Sequence, residues 1–169
     1  MNNIWLFLNV ACVLFASIKA SGAWKKIGKT GFEYRAVRTI FGKTFDSAES
    51  TCSRLGGGHL ASIQSDEENN FVYQPLSHYA PHFRGGAWIG LRYLFGDWQW
   101  EDGTHFNSSS SYNKLVHIPV KDDFEACVYV DEYGKWRYKG CERGFHVFIC
   151  KRKVNKGTVK TGPKWIKKL

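Results

Sequence analysis

Apolar residues recur along this chain with two different rhythms. Phe45, Ala48, Cys52 and Leu55 are spaced by three and four, one face of a helix. Asp46-Ser47-Ala48-Glu49 opens it as a capping box, the Asp carboxylate taking a free first-turn amide and Glu49 reaching back. Gly56-Gly57-Gly58 stops it. Ser65-Asp66-Glu67-Glu68 is a second capping box, and the helix it opens is predicted to end near Tyr73 or Leu76, limited by Pro75 and Pro81. The other rhythm is extended. Residues 86–91 are small and apolar throughout, as in a buried strand. Trp98 and Trp100 then alternate with Gln99, and Asp102-Gly103 ends the run as a turn. Residues 33–39, 127–130, 135–138 and 145–150 read as further strands, with a hairpin turn at 131–134. Leu60-Ala61-Ser62-Ile63 is a short extended piece. Trp88, Trp98 and Trp100 make 86–103 the densest aromatic stretch, the expected centre of packing, with Ile149 buried beside it.

Between these elements the pattern fails in two places. Residues 77–86 read as a surface connection. His78 and His82 lie four apart, but Pro81 stands between them and no further ligand is near in sequence, so they read as loop histidines and not a metal pair. Residues 104–126 are polar, serine-rich and without period, a loop long enough to be functional.

The ends of the chain set its compartment. Residues 4–18 form an apolar run of about 15 residues, short for a membrane span and right for the core of a signal peptide. Small residues follow, so cleavage is expected after Ala20 or Gly22. Residues 1–20 are then a leader and 21–31 a short N-terminal segment; an uncleaved N-terminal anchor is the rival. Cys52, Cys127, Cys141 and Cys150 remain, an even number without a Cys-x-x-Cys pair, which suits two bridges better than zinc. Counting alone leaves three pairings open. Export also gives meaning to Asn107-Ser108-Ser109 as an N-glycosylation acceptor at Asn107.

The net charge is +9, and it is not evenly spread. Residues 151–169 hold eight Lys or Arg and no acid, whereas 21–150 is formally neutral. Such a cluster binds polyanions or anionic surfaces by charge, and Trp165-Ile166 adds an apolar tip. From Lys153 onward the composition cannot bury enough apolar surface to order itself, so 153–169 is expected to be a tail. Nucleic acid is excluded by the compartment.

Over residues 32–152 the chain resembles the C-type lectin-like domain family. The residues that carry the resemblance are Lys43-Thr44-Phe45-Asp46-Ser47-Ala48-Glu49 before Cys52, Leu55-Gly56-Gly57 before His59-Leu60-Ala61-Ser62-Ile63, and Glu67-Glu68-Asn69. To these add Trp88-Ile89-Gly90-Leu91, Trp98-x-Trp100-x-Asp102-Gly103, Cys127-Val128, Trp136, Cys141 and Phe148-Ile149-Cys150. The resemblance implies an α+β fold, two helices flanking antiparallel sheets with a long ligand loop. It also implies bridges Cys52–Cys150 and Cys127–Cys141. The additional N-terminal Cys pair of longer members is absent, and Glu33 stands near where one partner would sit.

Sugar-binding members carry Glu-Pro-Asn or Gln-Pro-Asp in the long loop, a Glu two residues before the third-strand Cys, and Trp-Asn-Asp later, all supplying oxygens to calcium. Here Ile118-Pro119-Val120 and Trp136-Arg137-Tyr138 stand at those places, and only Glu125 matches. Asp122 and Asp123 are out of register and read as a solvated turn. Calcium wants six to eight oxygens, and Arg137 would put a permanent cation where a dication should sit. No cofactor is therefore expected, and Glu125 is expected to pair with Arg137. The resemblance implies a secreted recognition protein, not an enzyme, binding a glycan or protein without calcium through His117, Lys121, Asp122, Asp123, Glu125, Arg137 and Tyr138. The alternatives are a calcium-dependent carbohydrate lectin, or a binder of heparan-type polyanions or anionic membranes through Lys151–Leu169. No nucleophile elbow, zinc signature or phosphate loop supports an enzyme.

Overall fold

The computed structural model describes residues 22–79, 85–109, 113–115 and 125–154, with side chains of 75–79 excepted. The expected leader at 1–20 and the expected tail from residue 155 lie outside these. Helix α1 is Phe45–Arg54 and helix α2 is Asp66–Tyr79. The strands are β1 (Lys25–Lys26), β2 (Phe32–Lys43), β3 (His59–Leu60), β4 (Ala87–Leu94), β5 (Asp97–Trp100), β6 (Ala126–Val130), β7 (Trp136–Lys139) and β8 (Phe145–Lys153).

These eight strands form one sheet in the order β1-β2-β8-β4-β6-β7, with β3 added on β8 and β5 on β4. The expectation of purely antiparallel pairing needs one correction. β4 and β8 run parallel, pairing Ala87 with Val147 and Trp88 with Phe148. The chain passes through β5, β6 and β7 between them, and that excursion is long enough for the crossover a parallel pair requires.

Both faces of the sheet are covered. One buries Ile63, Val72, Ile89, Leu91, Trp98, Trp100, Val128 and Trp136, with Phe71 of α2 against it. The other buries Phe45, Ala48 and Cys52 of α1 with Leu60, Trp88 and Phe148. The apolar run of β4 follows from this position, since a central strand packs on both sides. Trp88 is fully buried, and its indole N–H donates to the Lys43 carbonyl at 2.9 Å. The Trp136 indole N–H donates to Asn69 Oδ1 at 2.7 Å, so both large rings satisfy their polar edge inside the core. Gly90 marks a close backbone approach: a Cβ there would lie 2.4 Å from the Leu60 carbonyl oxygen.

The helices differ from expectation in detail. α1 begins one residue before Asp46, and Thr44 is its cap, accepting from the Ser47 amide at 3.3 Å. Asp46 and Glu49 are thereby freed for tertiary partners. The second capping box forms with one shift. Ser65 accepts from the Glu68 amide at 3.1 Å, while Glu68 reaches back to the Gln64 amide at 2.7 Å. α2 passes through Pro75 and ends at Tyr79, so His78 is helical, not part of a surface connection. Proline's fixed φ is itself helical; it removes one amide without forcing a stop.

Both bridges are those the resemblance implied, Cys52–Cys150 and Cys127–Cys141. The core extends past 32–152. β1 pairs with β2, Ile27 is buried, and Arg152 lies 4.1 Å over the Trp24 ring while pairing with Glu33 at 2.6 Å. β8 continues to Lys153, and the Val154 amide reaches the Gly31 carbonyl at 2.8 Å. Among the described residues no helix is long and apolar enough to cross a membrane.

Candidate recognition site

The site begins with the β6–β7 hairpin. Val128 pairs with Tyr138 and Tyr129 with Arg137, so Arg137 and Tyr138 fall on opposite faces. Tyr138 packs against the core cluster of Val128 and Trp136, while Arg137 is exposed. The turn is held by Asp131. Its carboxylate accepts from the Tyr133 and Lys135 amides at 2.9 and 3.0 Å and from Arg137 Nε at 2.6 Å. Burial works to raise the Asp131 pKa, but the Arg137 bond and the two amides outweigh it and hold the carboxyl below its ordinary value.

Glu125 lies elsewhere. β4 pairs with β6 so that Arg92 stands opposite Cys127. The Glu125 carboxylate approaches Arg92 Nε at 3.7 Å, and Glu101 approaches the same atom at 3.4 Å. Asp46 of α1 completes the group by bonding Arg92 Nη2. The expected pair of Glu125 with Arg137 is therefore corrected. Register sets Arg137 opposite Tyr129, two residues further along β6 than Cys127. Burial and the neighbouring acids Glu49 and Asp46 push the Glu101 carboxyl up, partly offset by Arg92.

Arg92 and Asp131 were missed in the sequence. Arg92 had a signal, a lone cation in the apolar run of β4. Asp131 looked like an ordinary turn residue. The structure brings together Arg137 with Asp131, and Glu125 with Arg92. It leaves Tyr138 on the opposite face from Arg137. His117, Lys121, Asp122 and Asp123 lie outside the described residues, as do Ile118-Pro119-Val120. Asn107 is exposed, its side chain accepting from the Ser109 amide at 3.0 Å.

A second feature lies at the other margin of the molecule. A cleft of about 470 Å³ is lined by Phe32, Gly57, His59, Asp102, Thr104 and Lys153. Beneath it Lys151 is 5% exposed. Its ammonium donates to the Ser62 carbonyl and hydroxyl, both at 3.0 Å, and lies 3.6 Å from Glu68. Ser62 in turn donates to Asp102. Lys151 and Arg152 thus belong to the fold, which corrects their place in a free basic tail. Of the basic groups lining the cleft, Lys151 is paired with Glu68 and Arg152 with Glu33, and the His59 imidazole lies 2.7 Å from Glu49, while Lys153 stands at its rim.

Comparison with known proteins identifies the family. The "Lectin C-type domain" profile matches residues 41–152. The chain belongs to the C-type lectin domain family. The "Snaclec stejaggregin-B subunit alpha" of Trimeresurus stejnegeri is 33% identical over 147 residues, covering 82% of this chain and 89% of that protein. Among solved structures, the cow C-type carbohydrate-recognition domain of CD23, crystallised with a GlcNAc2Man3 oligosaccharide, superposes with a TM-score of 0.61 at 25% identity, covering 81% of this chain and 98% of that one. A calcium-independent type II antifreeze protein superposes at 0.55 with 26% identity, covering 79% and 96%.

For a C-type lectin domain the question at this hairpin is calcium. The described residues do not fit it. At the matched positions they offer one carboxylate drawn toward Arg92, a guanidinium bonded to Asp131, and a phenol packed on the core. A hard dication needs several converging oxygens, and here the carboxylates of Glu125 and Asp131 each face a guanidinium, Arg92 and Arg137. The sulfurs of Cys127 and Cys141 near Glu125 are spent in their bridge.

Proposed function

We propose that this C-type lectin domain is an exported recognition module that binds a glycan or a protein through its long loop and the neighbouring β7 surface, without calcium. The observation that carries this reading is Arg137: a cation bonded to Asp131 at 2.6 Å stands where a sugar-binding member would present calcium ligands. The likeness to a calcium-independent family structure supports the same reading. His117, Lys121, Asp122 and Asp123 of the loop, with Arg137, are the proposed contacts, and Glu125 serves the Arg92 cluster. Export rests on the apolar run at 4–18 and the two bridges, and Asn107 is the proposed glycosylation site.

Glycan-array binding with and without EDTA tests the reading, alongside calorimetric titration with calcium. The expected result is binding that survives EDTA and no calcium uptake in the millimolar range. Tight calcium uptake lost on Glu125→Gln would restore the calcium-dependent lectin.

A further inference from the structure

One built surface feature has no part in the hairpin site. β2 bulges as it reaches the end of the sheet. Arg38 pairs with Val147 and Lys43 with Phe145, so residues 39–42 stand against His146 alone. At the crest Ile40 is 57% exposed and Phe41 is 75% exposed. The crest is held in shape. Thr39 Oγ1 donates to the Phe41 carbonyl at 2.7 Å and lies 3.3 Å from that of His146. Gly42 rests against Gly144, where an added Cβ would come within 3.1 Å of backbone. Nothing in the two described core clusters takes up Ile40 or Phe41.

The charge around the crest is one-sided. Arg38 and Lys43 flank it in sequence, Arg143 precedes Gly144, and His146 faces Thr39. Within 38–43 and 142–146 the one acid is Glu142, an exposed carboxylate 3.8 Å from Arg143 Nε. We infer that this crest docks on an anionic lipid surface, with Ile40 and Phe41 entering the acyl boundary and Arg38, Lys43 and Arg143 meeting lipid phosphate and carboxylate groups. Two projecting side chains offer little area to a flat protein face, which needs about 800 Å² per partner. A lipid interface closes around an inserted side chain, and cations beside it add attraction that salt weakens. The site is distinct from the basic tail. β2 and β8 are antiparallel, so the tail leaves β8 beside Phe32, at the opposite end of β2 from the crest.

The test is sedimentation with vesicles of phosphatidylcholine alone and of phosphatidylcholine with phosphatidylserine, at low and high salt. The samples are the wild type, Ile40→Ser with Phe41→Ser, and Lys43→Gln with Arg143→Gln, each with and without 155–169. The unmodified protein should prefer the phosphatidylserine vesicles. The apolar double variant should lose about tenfold or more of its partition whether or not the tail is present. The charge variant should flatten the salt dependence. Phe41→Trp provides a readout that keeps the crest apolar, and brominated acyl chains should quench its added emission. Equal partition of the wild type and the apolar variant would overturn the inference, as would complete loss of binding on removing the tail alone. A change of oligomeric state in the apolar variant, without a change in vesicle binding, would assign the crest to a second copy of the chain.

Discussion

Lys151 is the residue whose surroundings matter most to its role. Burial pulls its pKa down, and Glu68 and Asp102 partly restore it. Its ammonium also lies 4.5 Å from the Phe32 ring centroid, so aromatic and carboxylate partners surround one buried charge. Lys151→Met should cost about 3–5 kcal/mol, because it strands Glu68 as a buried unpaired acid. Lys151→Met with Glu68→Gln should recover part of that loss; denaturant midpoints of the two variants check it. Trp88 tests packing instead. Phe45, Tyr129 and Phe145 all meet its ring edge-on, at centroid distances of 5.6, 6.2 and 4.6 Å. Trp88→Ala should cost about 3–5 kcal/mol, read in the same way.

The β6–β7 hairpin is the element that separates stability from recognition. Asp131 holds the turn and also occupies the guanidinium of Arg137. Its folded pKa lies below the ordinary carboxylate value. Its contribution is therefore complete above the unfolded value of about 3.9, and it is lost as the pH falls below that toward the folded value. Asp131→Asn should flatten the dependence of the unfolding midpoint on pH below about 4. Helix α2 teaches a different point at this scale. Pro75 looked like a stop, yet the helix runs on to Tyr79; proline's fixed φ is compatible with the helix even though its ring removes one amide.

Across the whole molecule the two bridges act on loops of different length. Cys52–Cys150 spans 98 residues of sequence and joins α1 to β8; Cys127–Cys141 spans 14 and closes the hairpin. If restriction of the unfolded chain dominates, the first should contribute about 4–5 kcal/mol and the second about 3. Paired Cys→Ser variants of each bridge, compared by denaturant unfolding, should show the larger loss for the long loop.

The sequence by itself determined the family, the existence of both helices, the strand cores and the buried Trp residues, and the family resemblance implied the bridge pairing. These follow from local spacing and from motifs that keep their order along the chain. It could not assign partners to the charges. Asp46 and Glu49 sit side by side as a convincing cap, yet one bonds Arg92 and the other His59 and the Leu60 amide. Glu125 and Arg137 look like natural partners, yet strand register sends each to another residue. Lys151 reads as the first residue of a basic tail, and the sheet buries it. An apolar side chain needs only a dry face, and periodicity announces that face. A charged side chain needs one particular partner at bonding distance, and only the crossing of β4, β6 and β8 with the two helices decides which one it meets.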